Sequence, residues 1–293
     1  MSVNYEQLAA DGLEQIGATT SRGQLDQIAQ QAAAASWSYS HFLGRLLEPE
    51  LAARRQRVID ICLNFSGLPW KKRLSDFDFS FQPSIDRTLV EELATGRFMS
   101  EGRNIIFQGP PGVGKTHLAI ALGLACSEQG QRILFITALD LVRRMKTAFT
   151  LNRMPHYMKM LTTPKLLIVD EVGYLGLDTQ QASLLFQVIC IRYEKHLSTI
   201  ITSNKAFSDC GHVFAGDAIM ASAALDRLLH RATVLNIKGD SYRMREKRQA
   251  GLFPGAVALD PQTQGTSPPR PNHPASSSPG GGSILDGRKW VQS

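Results

Sequence analysis

The segment Gly109-Pro110-Pro111-Gly112-Val113-Gly114-Lys115-Thr116 constrains this chain more than any other. It fits the pattern G-x-x-x-x-G-K-[ST], with the apolar run Ile105-Ile106-Phe107 before it and a stretch that reads as an amphipathic helix after it. Glycines let the backbone turn its N–H groups inward, and the helix N-terminus adds favourable dipole potential, so the segment is suited to cradling phosphates. In such a cradle Lys115 neutralises β- and γ-phosphate charge and Thr116 ligates Mg²⁺. His117 adjoins the cradle and counts with the nucleotide-binding segment. No second ligand stands at metal spacing from it, so it reads as an ordinary helix histidine.

The surrounding chain alternates short β-rich runs with longer helical stretches. Strands are predicted at Asn104–Gln108, Arg132–Thr137, Lys165–Asp170, Ser198–Ser203 and Ala232–Ile237, with helices such as His117–Gln129, Leu139–Phe149 and Gln180–Glu194 between them. Near-continuous apolar strands alternating with helices predict a parallel sheet covered on both faces, in an α/β domain over residues 75–250.

Two of the apolar runs end in polar groups. Leu166-Leu167-Ile168-Val169 leads into Asp170-Glu171, which puts both carboxylates at the carboxyl edge of the sheet, where ligands of open α/β sheets bind. Asp170 is the expected holder of hydrated Mg²⁺, and Glu171 the group that polarises an attacking water. Ile200-Ile201-Thr202-Ser203 leads into Asn204, an amide suited to the γ-phosphate or that water, although asparagine also serves as a plain turn residue. Basic residues follow in Asp226-Arg227-Leu228-Leu229-His230-Arg231, on a helix after Gly216, and in Asp240-Ser241-Tyr242-Arg243 after the last strand. Ring-forming ATPases use an arginine from a neighbouring subunit to stabilise charge on the γ-phosphate. Spacing does not choose between Arg227 and Arg231, and a surface ion pair with Asp226 is the plainer reading.

Composition narrows the class. The 293 residues carry Lys+Arg 32 against Asp+Glu 26, a net +6 compatible with a polyanionic partner. No apolar leader opens the chain, no apolar run approaches the roughly 18 residues that span a bilayer, and the cysteines are scattered without a C-x-x-C pair. The expectation is a reduced, cytoplasmic protein with no membrane role. Residues 1–74 show helical spacing, with an apolar stripe of Phe42, Leu43, Leu46 and Leu47 continued by Leu51, Val58, Ile59, Cys62 and Phe65, and a break near Leu47 where Pro49 starts a new helix. Arg54, Arg55 and Arg57 cluster there, and Arg143, Arg144 and Lys146 share a later helix, reinforced by Arg153, Lys159 and Lys165. Each group is either a solvated helix face or a contact to DNA phosphates. In residues 251–293, Pro, Gly and Ser make up 20 of 43, a composition that predicts a disordered tail.

Taken together, Gly109–Thr116, Leu166–Tyr174, Arg192-Tyr193, Ile201–Lys205, Asp226–Ala232 and Gly239–Arg245 resemble the IstB-like family, AAA+ helper ATPases of insertion sequences related to the DnaC-type helicase loaders. Leu74-Ser75-Asp76-Phe77-Asp78-Phe79 and Phe214-Ala215-Gly216-Asp217 add to the resemblance, which covers about residues 36–248. It implies a P-loop AAA+ domain with a five-stranded sheet and a small helical N-terminal region. It also implies the phosphate lysine at Lys115, metal ligands at Thr116 and Asp170, a catalytic Glu171, a sensor at Asn204, a trans-acting finger at Arg227 and a cis sensor at Arg243. Family members assemble as homo-oligomers on duplex DNA with ATP and Mg²⁺, and mark a target for a partner transposase. Two departures stand out. Cys210 occupies the place of a tryptophan in Phe207-Ser208-Asp209-Cys210-Gly211, and little chain follows Arg243 before the low-complexity tail, which leaves no room for a full helical lid. A DnaC-type replicative helicase loader is the alternative within this chemistry; a non-hydrolysing DNA-binding scaffold is the alternative outside it.

Overall fold

Strands form where the apolar runs lie. β1 (Asn104–Gln108), β2 (Ile133–Thr137), β3 (Leu166–Asp170), β4 (Ser198–Ser203) and β5 (Ala232–Asn236) build one five-stranded sheet in the order β2-β3-β4-β1-β5. Every neighbouring pair is parallel. The computed structural model describes residues 4–174, 176–205 and 214–249. All lie within one compact unit, Met1–Leu252; the second unit, Phe253–Ser293, which includes most of the expected tail, lies outside the described residues, as does Cys210. The strands are shorter than predicted by one residue, at Arg132, Lys165 and Ile237.

The helices are α1 (Tyr5–Gln15), α2 (Thr19–Ala34), α3 (Tyr39–Phe65), α4 (Arg87–Ala94), α5 (Arg97–Ser100), α6 (Lys115–Glu128), α7 (Ala138–Thr150), α8 (Met154–Thr162), α9 (Thr179–Glu194), α10 (Ala218–Leu229) and α11 (Tyr242–Gln249). Side chains alternate along a strand, so a sheet covered on both faces feeds two cores. Leu166 and Ile168 of β3 join the core built with α4, α5 and α6, while Leu167 and Val169 join the one built with α7, α8, α9 and α10. α6 is not the amphipathic helix predicted. Ten of its 14 residues are buried, because it is packed between the sheet on one side and α3 and α4 on the other.

α1, α2 and α3 pack through Ala10, Leu25, Ile28 and Leu46. The break expected near Leu47 is absent, and α3 runs unbroken through Pro49. Proline inside a helix forfeits the bond to the carbonyl four residues back, here that of Arg45, and α2 contacts the adjoining turn. Ser21 Oγ donates to the Leu46 carbonyl at 2.6 Å, and the Glu50 carboxylate accepts the Thr20 N–H at 2.9 Å. The stripe expected along α3 is only partly internal: Leu46 and Cys62 are buried, whereas Leu43, Leu51, Val58 and Phe65 are exposed. α2 covers only the first half of this long helix. In its second half α3 meets the α/β layer at α6 and β2, with Cys62 Sγ 3.3 Å from the Gly130 carbonyl. Just after α3, the Ser66 carbonyl accepts the Phe135 N–H at 2.7 Å, which occupies an outward donor of edge strand β2.

Candidate nucleotide site

Between β1 and α6 the chain turns through glycines with left-handed or otherwise positive φ, +152° at Gly109, +84° at Gly112 and +97° at Gly114. Space demands glycine as firmly as conformation does. A Cβ at Gly112 would lie 2.1 Å from Ser241 Oγ, and one at Gly114 would lie 2.5 Å from the Phe77 ring. Lys115 opens α6 and donates from Nζ to the Gly109 and Pro110 carbonyls, each at 2.7 Å. Burial lowers its pKa; Asp170 and Glu171 act against that shift and Arg243 adds to it.

The ends of β3 and β4 complete this floor. Thr116 Oγ1 lies 3.0 and 3.2 Å from the two Asp170 carboxylate oxygens, a set of hard oxygen donors of the kind Mg²⁺ takes. Thr202 Oγ1 donates to Asp170 Oδ1 at 2.5 Å and accepts the Glu171 N–H at 2.9 Å. Glu171 itself holds φ +64°, a left-handed conformation that costs a non-glycine residue on the order of 1 kcal/mol. Its side chain is exposed toward the cleft. Asn204 also lines the cleft; its Oδ1 is buried without a hydrogen-bond partner among the described residues, and a Cβ on Gly173 would come within 2.3 Å of it.

The roof comes from two distant stretches. Residues 70–82 form a strap whose Trp70, Lys72, Phe77 and Phe81 line a cleft of about 470 Å³, facing the cradle and α11. Phe77 packs edge-on against His117 at 5.2 Å, and His117 Nε2 lies 3.1 Å from the Arg73 carbonyl. Burial depresses the His117 pKa, with the Arg73 carbonyl acting against the shift. From the other side, Tyr242 N–H donates to the Gly112 carbonyl at 3.0 Å, so α11 begins on the cradle itself and brings Arg243 to the cleft wall. Arg245 joins strap and helix, 3.5 Å from Asp78 and over the Phe81 ring at 4.9 Å.

The structure thus gathers Pro111, Gly112, Val113, Gly114, Lys115, Thr116, His117, Glu171, Asn204 and Arg243 around one cleft, with Asp170 bonded to Thr116 beneath it. Gly109 and Pro110 contribute through the carbonyls that hold Lys115. Arg227 is elsewhere. It lies near the end of α10, in a small depression with Arg192, Arg231 and Asn104 at the amino edge of the sheet. It donates to the Ala223 carbonyl at 2.9 Å and lies over Phe186 at 5.4 Å; Arg231 meets His196 at 2.8 Å. No ion pair with Asp226 is present among the described residues.

Of the basic clusters, Arg143, Arg144 and Arg153 border an open groove between α7 and α8, where Arg143 also pairs with Asp140 at 2.8 Å. Lys146 is exposed on the same helix. Arg54, itself exposed, pairs with buried Glu50 at 2.9 Å and holds that carboxyl below its ordinary pKa. Arg55 and Arg57 remain exposed. The roof residues Trp70, Lys72, Phe77, Phe81 and Tyr242, and Thr202 in the floor, were not singled out by motif reasoning. The phrase Leu74–Phe79, counted only toward the family resemblance, was the available signal for the strap.

The profile of the IstB-like ATP binding proteins matches residues 13–250, a longer stretch than the motif resemblance covers. The ATP-binding protein of insertion sequence IS21 from Pseudomonas aeruginosa is 46% identical over 229 residues, covering 78% of this chain and 86% of its own length. That of IS5376 from Geobacillus stearothermophilus is 45% identical over 221 residues, covering 75% and 87%. Among solved structures, the DnaC helicase loader superposes with a TM-score of 0.50 at 26% identity, covering 58% of this chain and 98% of that one. AMPPCP-bound DnaA from Aquifex aeolicus, covering 64% of this chain and 56% of its own, gives 0.51 at 21% identity, a likeness of fold alone. A phosphate cradle over paired carboxylates, on a sheet of this strand order and in a sequence matched this extensively, makes the chain a member of the IstB-like ATP-binding proteins of insertion sequences, with an AAA+ P-loop fold.

Proposed function

We propose that this protein is an ATP-hydrolysing helper of transposition that assembles as a homo-oligomer on double-stranded DNA and directs a partner transposase to it. The observation that carries the reading is the convergence of Lys115, Thr116, Asp170 and Glu171 at the carboxyl edge of the sheet, while Arg227 stands at the opposite edge. The cradle N–H groups and Lys115 would hold the triphosphate, with Thr116 and Asp170 holding Mg²⁺, whose role when bound is to neutralise phosphate charge. Glu171 accepts the proton of the attacking water, Asn204 orients that water or the γ-phosphate, and Arg243 faces the same phosphate in cis. Arg227 is too far from its own cleft to share in this chemistry, so its target is the nucleotide of a neighbouring copy. Exposed Arg143, Arg144, Lys146, Arg55 and Arg57 are the cations offered to DNA phosphates; such contacts are salt-sensitive and largely sequence-blind.

Phosphate release measured with and without duplex DNA tests this reading. Magnesium-dependent turnover, raised by DNA, is expected. In Glu171→Gln, turnover falls about 100- to 10,000-fold while ATP stays bound. Wild-type protein that retains no ATP with magnesium would overturn the reading. The superposition on the DnaC helicase loader favours a second reading, a loader of a hexameric helicase. Co-purification with a helicase and preference for single-stranded DNA would select it; co-purification with a transposase and preference for duplex would select the first.

A further inference from the structure

Thr202 lies in β4 one residue beyond the last registered pair, Val169 with Ile201, and so sits beside Asp170 on the neighbouring strand. It is 1% exposed. Its hydroxyl has one proton, given to Asp170 Oδ1, and lone pairs, one of which receives the Glu171 N–H. The result is a directed chain from the Glu171 amide through the Thr202 hydroxyl to the Asp170 carboxylate. Each bond in such a chain polarises the next in a low-dielectric interior. It spans the peptide unit at which the backbone turns into the left-handed region after β3, φ +64° at Glu171. That conformation carries a steric cost, and a cost of this kind persists only where the surroundings over-determine it. The hydroxyl of Thr202 supplies that constraint: it binds the amide that must face β4 for the Glu171 side chain to swing toward the cleft.

We propose that Thr202 is a positioning residue for hydrolysis, acting through Glu171 and Asp170 rather than on the nucleotide. The inference rests on the ATPase reading above. Thr116 shares the Asp170 carboxylate but makes no bond to the Glu171 amide, so the two threonines divide the work. Thr116 belongs to the cradle, whereas Thr202 ties the strand end bearing Asp170 to the turn bearing Glu171. Valine keeps the shape of threonine and loses the hydroxyl; serine keeps the hydroxyl and loses only a methyl.

The test compares wild type, Thr202→Val and Thr202→Ser for steady-state turnover, for equilibrium binding of ATP with magnesium, and for hydrogen exchange at the Glu171 amide without nucleotide. T202V is expected to lower turnover about 10- to 100-fold, as loss of an orienting partner commonly does, with ATP affinity within about threefold of wild type. T202S should restore most of the turnover. The Glu171 amide should exchange fast in T202V and slowly in wild type and T202S. Turnover in T202V equal to wild type, or T202S as impaired as T202V, would overturn the proposal. If wild type binds ATP but releases no phosphate, the ATPase reading fails, and the amide exchange still decides whether Thr202 holds the turn. Should T202V not fold, Thr202→Ala removes the same hydroxyl and is read by the same three measurements.

Discussion

At the carboxyl edge of the sheet, charges are matched within the chain: Lys115 lies under the influence of Asp170 and Glu171, and Asp170 receives hydrogen bonds from Thr116 and Thr202. At the amino edge, Arg192, Arg227 and Arg231 gather in a depression with no carboxylate among its described lining residues. Arg192 is 2% exposed and donates to the carbonyls of Leu161, Pro164, Lys165 and Ser198 and to Thr199 Oγ1. Arg227 rests on a carbonyl and a phenyl ring, and Arg231 on a histidine. Neutral dipoles satisfy the donors but leave the positive charge uncompensated, and burial lowers the Arg192 pKa to about 9. One edge is built to complete a site with its own residues. The other carries a cationic surplus that an anion from another molecule would neutralise.

The largest test of this contrast is Arg227→Ala. If the surplus acts on a neighbour's nucleotide, turnover falls about 1,000- to 100,000-fold with ATP still bound. Mixing that variant with Lys115→Ala then restores part of the activity, because one interface regains both an intact cradle and an intact finger. No recovery in the mixture would confine Arg227 to its own chain. The buried member of the same edge should answer in stability instead. Arg192→Met removes the donors that meet the Leu161, Pro164, Lys165 and Ser198 carbonyls and Thr199 Oγ1 and should cost about 3 kcal/mol in urea unfolding, with the nucleotide cleft itself untouched. A loss below about 1 kcal/mol would mean that water or rearrangement replaces the guanidinium.

The smallest effect is expected from pH at the carboxyl edge. The folded pKa of His117 is depressed below its ordinary 6.5, so the unfolded chain binds the extra proton first. Its contribution to stability is therefore present above about pH 6.5 and is lost as pH falls toward the folded value. Urea melts across that window should show stability rising with pH, and His117→Gln should flatten that part of the curve. An unchanged slope in the variant would assign the dependence to other groups.

The cradle and the paired acids were legible because their determinants are contiguous. An apolar run, a glycine-rich turn and Lys115-Thr116 follow one another, and Asp170-Glu171 end a run whose burial its composition already declares. The roof was not, because its contacts join distant residues: Phe77 meets the cradle at Gly114, and Phe81 meets Tyr242 at 5.4 Å. Arg192 entered only as part of a family phrase, and its task follows from the neighbouring carbonyls. Pro49 shows the same limit from the other side. Its local rule predicts a break, whereas the helix runs through it, with Leu46 and Glu50 on either side bonded to Ser21 and Thr20 of another helix. Thr202 stands in the sequence only as part of the run that leads into Asn204, and its distinction lies in the two groups across the strand that share its hydroxyl.

The strap also bears on how the protein can be divided. Trp70, Lys72 and Phe77 precede the first strand of the sheet yet wall the cleft, and Arg73 grips Glu128 at the far end of α6 at 2.6 Å. A fragment beginning at Arg87 would keep every strand and every residue of the phosphate motif while losing the surface that screens the cleft from solvent. The segment that walls the cavity is therefore the same segment that leads out of the N-terminal helices, and a cut placed between helices and sheet opens the site.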